Sequence, residues 1–213
     1  MKTDLIETAP GFYVDRRYQA QLTQVGLDST DAVFAFEAGQ RLSKANLASW
    51  RQRIRFQLPS GEYAYLKRYD RPPVSVQLKS WLQHGRRAFL SSFDIGPAAV
   101  LRQEAVSIPR TIAGGGQWRG LLERRSFIIT LELPRAHSLE KQLPDCFNTP
   151  GDSRKEKNAF IRQLADFVRR FHGTGYRHRD LYLAHIFLSQ TGQLSLIDLH
   201  RCFEQHEKDE KQE

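Results

Sequence analysis

The span from His178 to Arg201 carries two carboxylates, Asp180 and Asp198, and the imidazoles of His178 and His185 at spacings suited to chemistry on a phosphate. Asp180 closes the triplet His178-Arg179-Asp180 just after a helical stretch, where a rigid element can hold a carboxylate in reach of a substrate. His185 follows five residues later, and Asp198 follows Asp180 by eighteen, at the end of the apolar run Leu194-Ser195-Leu196-Ile197. A carboxylate to orient or deprotonate a hydroxyl, then a hairpin, then a carboxylate for a metal is the order that phosphoryl transfer from a magnesium nucleotide requires. Capping of the next segment is the alternative for Asp180, and it leaves the rest of the pattern unexplained.

Each residue then has an expected task. Asp180 is the general base, or the group that orients the acceptor hydroxyl. His178 belongs to the catalytic set as a scaffold, hydrogen-bonded within the loop. Arg179 either pairs with a carboxylate or is exposed. Asp198 is placed to hold Mg²⁺ against the phosphates of ATP. His185 either fills a second metal position, although imidazole suits Mg²⁺ less well than oxygen, or hydrogen-bonds Asp198 or the loop backbone.

Upstream, Lys67 lies on a strand face with Tyr65 and Tyr69, where an unpaired ammonium is unfavourable. Phosphates and an acidic helix residue resolve that, and Asp94 is preferred to Glu104 as its partner. Glu132 and Leu133 fall where a backbone would meet an adenine edge. A Gly-rich phosphate loop is missing. Arg41, Lys44, Arg51 and Arg53 after Gly39 either cover the phosphates instead or line a solvated loop.

The elements that must position these groups follow from hydrophobic period. Ala32–Phe36, Arg53–Leu58, Tyr63–Tyr69 and Arg125–Thr130 read as strands, with a hairpin turn at Pro59-Ser60-Gly61-Glu62. Val76–Phe89 and Pro97–Val106 read as helices, and Gly114-Gly115-Gly116 as a turn between edge strands. Ser153 and Glu156 form a capping-box pattern, followed by Phe160, Ile161, Leu164, Phe167, Val168 and Phe171 at helical spacing. Gly173 and Gly175 close that helix before His178. The expected organisation is a strand-rich nucleotide-binding lobe over 1–133, a minimal lobe with the catalytic loop over 134–203, and a polar tail over 204–213.

Bulk properties agree. A chain of 213 residues with 40% hydrophobic residues and 13 Phe builds a globular core. A net charge of +8 suits nucleotide phosphates or an anionic membrane. The charge is dispersed and no recognition motif accompanies it, which argues against nucleic acid. Cys146 and Cys202 lack metal or CxxC spacing and read as free thiols in a reducing compartment. There is no apolar run near 18 residues and no signal-peptide pattern, so a cytoplasmic location is expected.

With YLKRY at Tyr65–Tyr69, RRSFIIT at Arg124–Thr130, HRDLYLAH at His178–His185 and LIDLHR at Leu196–Arg201, the chain resembles the bacterial lipopolysaccharide core kinases of the Kdo/WaaP/InaA group. His185 in place of Asn and Leu199-His200 after Asp198 are features of that group. The resemblance covers roughly residues 33–201. It implies an α+β, two-lobed protein-kinase-like fold, with ATP and Mg²⁺ as cofactors. It further implies transfer to a sugar hydroxyl of the lipopolysaccharide inner core (heptose or 3-deoxy-manno-octulosonate) at the inner face of the cytoplasmic membrane. Lys67 would then contact the ATP phosphates, Asp180 would be the base and Asp198 the metal ligand. Two departures stand out: Asp94 where the group has Glu, and only 15 residues after Asp198 for a short, truncated helical lobe. The rival class is a nucleotide-binding pseudokinase or regulatory module without transfer activity.

Overall fold

The computed structural model describes residues 5–42, 48–148 (side chains through 143) and 154–205. Lys44, Ser153 and the tail from 206 onward, and the Cys146 side chain, lie outside the described set. The chain divides into two compact units. One runs to Ile95 and includes Arg110–Glu132; the other combines Gly96–Pro109 with the chain from Leu133 onward. The expected boundary at 133 assigned residues 96–109 to the first lobe, whereas they group with the second.

The first unit begins with β1 (Leu5–Ala9), β2 (Phe12–Asp15), α1 (Arg16–Gln24), α2 (Thr30–Ala35), β3 (Gln40–Arg41), β4 (Arg51–Gln57), β5 (Tyr63–Asp70) and α3 (Val74–His84). Next comes α4 (Ser92–Gln103), whose last residues belong to the second unit, and then β6 (Thr111–Arg119) and β7 (Leu122–Leu131). The strands form one antiparallel sheet in the order β1-β2-β6-β7-β5-β4-β3. Strand alternation sorts its faces. Ile54, Phe56, Ala64, Leu66 and Ile129 join Phe12, Val14, Leu22 and Val33 in the core, while Tyr65, Lys67 and Tyr69 occupy the other face of β5. Burying each such large apolar side chain is worth roughly 1.5–3 kcal/mol.

Two expectations fail here for identifiable reasons. Ala32–Phe36 is apolar enough for a strand but forms α2. The Ser29 hydroxyl accepts from the Ala32 N–H at 3.2 Å, and buried Arg68 donates through Nη1 to the carbonyls of Val33 and Phe34 at 2.9 Å. A cap at each end fixes the helix. Gly114-Gly115-Gly116 is no turn but the middle of β6. A Cβ on Gly115 would sit 1.9 Å from the Gly11 oxygen, and one on Gly116 2.6 Å from the Arg125 oxygen. The triplet answers to close backbone approach, not to bending.

Helix α4 starts at Ser92, five residues before the proline taken as its first residue, and Pro97 lies inside it. Ala105 at φ +55° turns the chain out of the helix.

The second unit contains β8 (Ala136–Ser138), α5 (Leu139–Asn148), α6 (Arg154–Gly173), β9 (Tyr176–His178), β10 (Ile186–Ser189), β11 (Leu194–Leu196) and β12 (Cys202–Glu204). Single 3₁₀ turns lie at Leu183–His185 and Leu199–Arg201. Phe167 and Phe171 of α6 pack with Leu101, Leu139, Ile186, Leu194, Leu196 and Cys202, and Phe160, Leu164 and Val168 support them. Ile161, expected on the same face, is exposed. Strands order as β11-β10-β8 and as β12-β9. Residues 96–109 join this unit because Leu196 N–H donates to Ser107 O at 2.9 Å and the hydroxyls of Ser107 and Ser195 lie 2.8 Å apart.

Candidate active-site residues

In the first unit, Lys67 projects from β5 opposite Arg53 of β4, which sets two cations on one face of the sheet. Its Nζ donates to Asp94 Oδ1 at 3.3 Å, with side chains only 14% and 6% exposed. Asp94 is reached because α4 begins early and carries it in the first turn, where a carboxylate also meets the positive end of the helix. Glu104, the competing partner, is exposed. Tyr69 beside this pair is fully enclosed, and burial followed by the Asp94 charge pushes its phenol up to about 12.

At the end of β7, Glu132 N–H donates to Tyr63 O at 2.8 Å. Its carboxylate takes Arg55 on both oxygens, at 3.0 and 2.7 Å, and the Tyr65 hydroxyl at 2.6 Å. Burial alone would raise the Glu132 carboxyl; the Arg55 and Tyr65 hydrogen bonds outweigh it and hold the group below its usual range. The division between the units falls between Glu132 and half-buried Leu133. Arg55 and Tyr65 are cross-strand partners, a register that the sequence does not display.

In the second unit, the residues singled out between 178 and 201 form one network. Buried His178 ends β9. Its Nδ1 accepts the Asp180 N–H at 3.2 Å, so Nε2 carries the proton and donates to Asp198 O at 3.2 Å. Burial is the main reason its pKa is lowered, which keeps the ring neutral near pH 7. His185 Nδ1 donates to Asp180 O at 2.6 Å, and its Nε2 lies 3.8 Å from Asp198 Oδ2. Ile197 N–H donates to His185 O at 3.0 Å, closing the circuit. Asp198 itself stands at φ +58°, ψ +50°, a left-handed conformation that Asp tolerates better than most residues. Such strain costs on the order of 1–3 kcal/mol and recurs at functional sites.

Sequence reading missed Arg201. Its Nε donates to Asp180 Oδ2 at 2.6 Å and its Nη2 to Oδ1 at 3.0 Å, a bidentate clamp on the carboxylate. The Arg201 hydrogen bonds are the first cause that holds Asp180 below the usual carboxylate range. The signal available was an arginine three residues beyond Asp198. Its partner became visible only when β9 paired with β12, setting Cys202 opposite His178. Arg179 is exposed and lies over the Phe203 ring, 5.3 Å from its centroid.

Among the described residues no group of three or more His, Cys, Asp or Glu side chains could hold a metal. Asp198 offers one hard carboxylate, 14% exposed, which is what Mg²⁺ takes from a protein when phosphates supply the remaining oxygens. An imidazole is a poor fit for that ion, so the donor set suits Asp198 better than His185.

The profile of the lipopolysaccharide kinase (Kdo/WaaP) family matches residues 99–213. The chain is 30% identical over 159 residues to the lipopolysaccharide core heptose(I) kinase WaaP of Escherichia coli, and 32% identical over 159 residues to that of strain K12. Each alignment covers 71% of this chain and 59% of the relative, so the chain spans well under two thirds of those proteins. A solved structure of WaaP in complex with acyl carrier protein superposes with a TM-score of 0.67 at 22% identity. That match covers 91% of this chain and 73% of the other, and places the α+β kinase-like fold.

Proposed function

The chain belongs to the lipopolysaccharide kinase (Kdo/WaaP) family, and from that membership we propose that it transfers the γ-phosphoryl group of ATP to a sugar hydroxyl of the lipopolysaccharide inner core. Heptose is favoured over 3-deoxy-manno-octulosonate as acceptor, because the similar proteins of Escherichia coli are heptose(I) kinases. One observation carries the reading. The backbones of Asp180 and Asp198 are tied through His178 and His185 into a single hydrogen-bonded network, which fixes the stretches that carry the two carboxylates relative to each other.

In this reading Lys67, oriented by Asp94 and reinforced by Arg53, binds the phosphates. Glu132 and Leu133 form the edge that meets adenine. Asp198 holds Mg²⁺, which when bound neutralises charge on the phosphate oxygens. His178 holds the Asp198 carbonyl and the Asp180 amide. Asp180, ionised and clamped by Arg201, accepts a hydrogen bond from the acceptor hydroxyl, aims its oxygen and takes its proton as the phosphoryl group transfers. A loose phosphoryl-transfer transition state asks little more of it. No described helix is long and apolar enough to cross a membrane, and the enzyme is proposed to work at the cytoplasmic face on a membrane-borne acceptor.

The Arg201 clamp favours a second reading, since both Asp180 oxygens already have a partner: a nucleotide-binding module without transfer. Incubation of purified protein with labelled ATP, Mg²⁺ and delipidated core saccharide separates the two. Label on the saccharide supports the kinase. ATP binding with no labelled saccharide, lipid or protein would leave the binding module.

A further inference from the structure

We propose that the first unit carries a docking surface for an anionic lipid bilayer, built from the outer face of α3 and the turn between β6 and β7. Val74, Leu78 and Leu82 recur at i, i+4 and i+8 along α3, and all are exposed, Leu82 by 83%. The turn adds Leu121, exposed by 74%, and Trp118. Four leucine or valine side chains in water, on a unit whose buried apolar groups form two clusters, mark a surface made to be covered.

Helix and turn are locked together. Arg87 donates to the carbonyls of Leu121 and Gly120 at 3.0 and 3.3 Å and stacks 4.3 Å from the Trp118 ring centroid. Trp118 in turn stands 4.3 Å from Phe89 and 6.3 Å from Trp81. Trp81 donates Nε1–H to Ala88 O at 2.8 Å. The chain leaves α3 through Gly85 in the left-handed conformation, which lets the following segment fold back against the tryptophans. Leu82 and Leu121 are thus held on one rigid platform with tryptophan rings, the side chains that favour a membrane interface.

Charge names the occupant. No Asp or Glu lies between Asp70 and Asp94, while Lys79, Arg86 and Arg87 do; Arg71 is paired with Asp70 at 3.5 Å, and Arg119 ends β6 beside the turn. Exposed leucines, interfacial aromatics and cations without carboxylates are the composition of a segment that lies on anionic lipid. A second copy of the chain would set these cations against themselves across a two-fold axis, which disfavours self-association. The inference rests on the proposed function for its purpose, bringing the enzyme to a membrane-borne acceptor, but not for its observations.

The test uses the full chain and vesicles of phosphatidylcholine alone or mixed with phosphatidylglycerol, scored by co-sedimentation. Wild type is expected to pellet with the anionic vesicles, less so as salt rises, and to stay in solution with phosphatidylcholine. The pair Leu82→Asp and Leu121→Asp should lower partitioning by about tenfold or more, from the apolar burial lost, with thermal midpoint and ATP binding unchanged. Lys79→Gln with Arg119→Gln should lower it only several-fold. Equal partitioning of wild type to both vesicle types overturns the proposal, as does wild-type partitioning by the aspartate variant. So does a dimer in light scattering that the aspartates dissolve while no vesicle is bound. Transfer to delipidated saccharide, measured on the same preparations, tests the proposed function separately: its absence from a wild type that binds vesicles refutes that function and leaves the surface standing.

Discussion

The polar residues of the first unit and those of the second are held by different means. Lys67 and Asp94 meet side chain to side chain, in a poorly hydrated place, across 27 residues of sequence. Nothing in their local backbone brings them together; the sheet and the early start of α4 do. In the second unit the two histidines are anchored to backbone, His178 to the Asp198 carbonyl and the Asp180 amide and His185 to the Asp180 carbonyl, and a nearby arginine, Arg201, clamps Asp180. The first arrangement is a charge pair whose geometry depends on a whole unit being folded. The second is a local frame that keeps its shape as long as a short ladder and hairpin persist. One site is therefore sensitive to stability and the other to chemistry.

The largest effect expected from breaking that contrast lies in the second unit. Asp180→Asn should leave ATP binding nearly intact and lower transfer by about 10²–10⁴-fold, or roughly 3–5 kcal/mol of barrier. Calorimetry and labelled transfer on one preparation read both quantities. Loss of ATP binding would contradict the local character of the frame.

In the first unit the effect should appear as stability. Asp94→Ala leaves the Lys67 ammonium without the carboxylate beside it and should cost about 3 kcal/mol in a denaturant titration. A cost near zero would mean that water reaches the pair.

A third outcome concerns another buried group of that unit. Glu123 accepts from Leu90 N–H at 2.7 Å, and burial pushes its carboxyl from 4.5 up to about 7. A folded value above the unfolded one gives stability that is complete below about pH 4.5 and falls as pH rises to about 7. The full span is about 3 kcal/mol, and Glu123→Gln should flatten it in melts across that window.

The smallest effect sharpens the second unit. Arg201→Ala should reduce kcat by about tenfold with little change in the KM for ATP, because the clamp aims Asp180 without touching nucleotide; that is about 1.4 kcal/mol. It also removes the main cause of the depressed Asp180 carboxyl, so the acid limb of the kcat–pH profile should move to higher pH. Arg201→Lys, lacking the planar fork, should restore the pH limb more than the rate. An unchanged profile would show that Arg201 is only structural.

The same contrast explains what could be read from the chain alone. The second unit's network spans His178 to Arg201, so type and spacing displayed most of it, and the α+β kinase-like fold was implied by the family resemblance that those motifs carry. Arg201 escaped because its role depends on the β9–β12 pairing. In the first unit the alternation of β4 and β5 was legible, but α2 was not, because its caps come from Ser29 and from Arg68, 35 residues from Val33. The glycine triplet misled for a related reason: the steric demand on Gly115 comes from Gly11 on a neighbouring strand. Long-range pairing decided the misses at Arg201 and the glycine triplet, whereas for α2 only the Arg68 contribution was long-range, the Ser29 cap being local.

The ladder that pairs Cys202 with His178 and Glu204 with Tyr176 has one more consequence. It fastens the segment between them at its base, while the β10–β11 register, Ile186 with Leu196 and Leu188 with Leu194, fixes its interior. The tip around Thr191 and Gly192 lies outside both ladders, tied by side-chain hydrogen bonds such as Gln163 Nε2 to Gly192 O at 2.6 Å and by the backbone turn it closes. Lengthening that tip adds loop-closure entropy slowly, about 0.6 kcal/mol per doubling. The eighteen-position spacing of Asp180 and Asp198 is therefore not a ruler. A graft of several residues at Gly192 should leave the two carboxylates in register, whereas deleting one residue from β10 would turn every side chain of that strand to the opposite face.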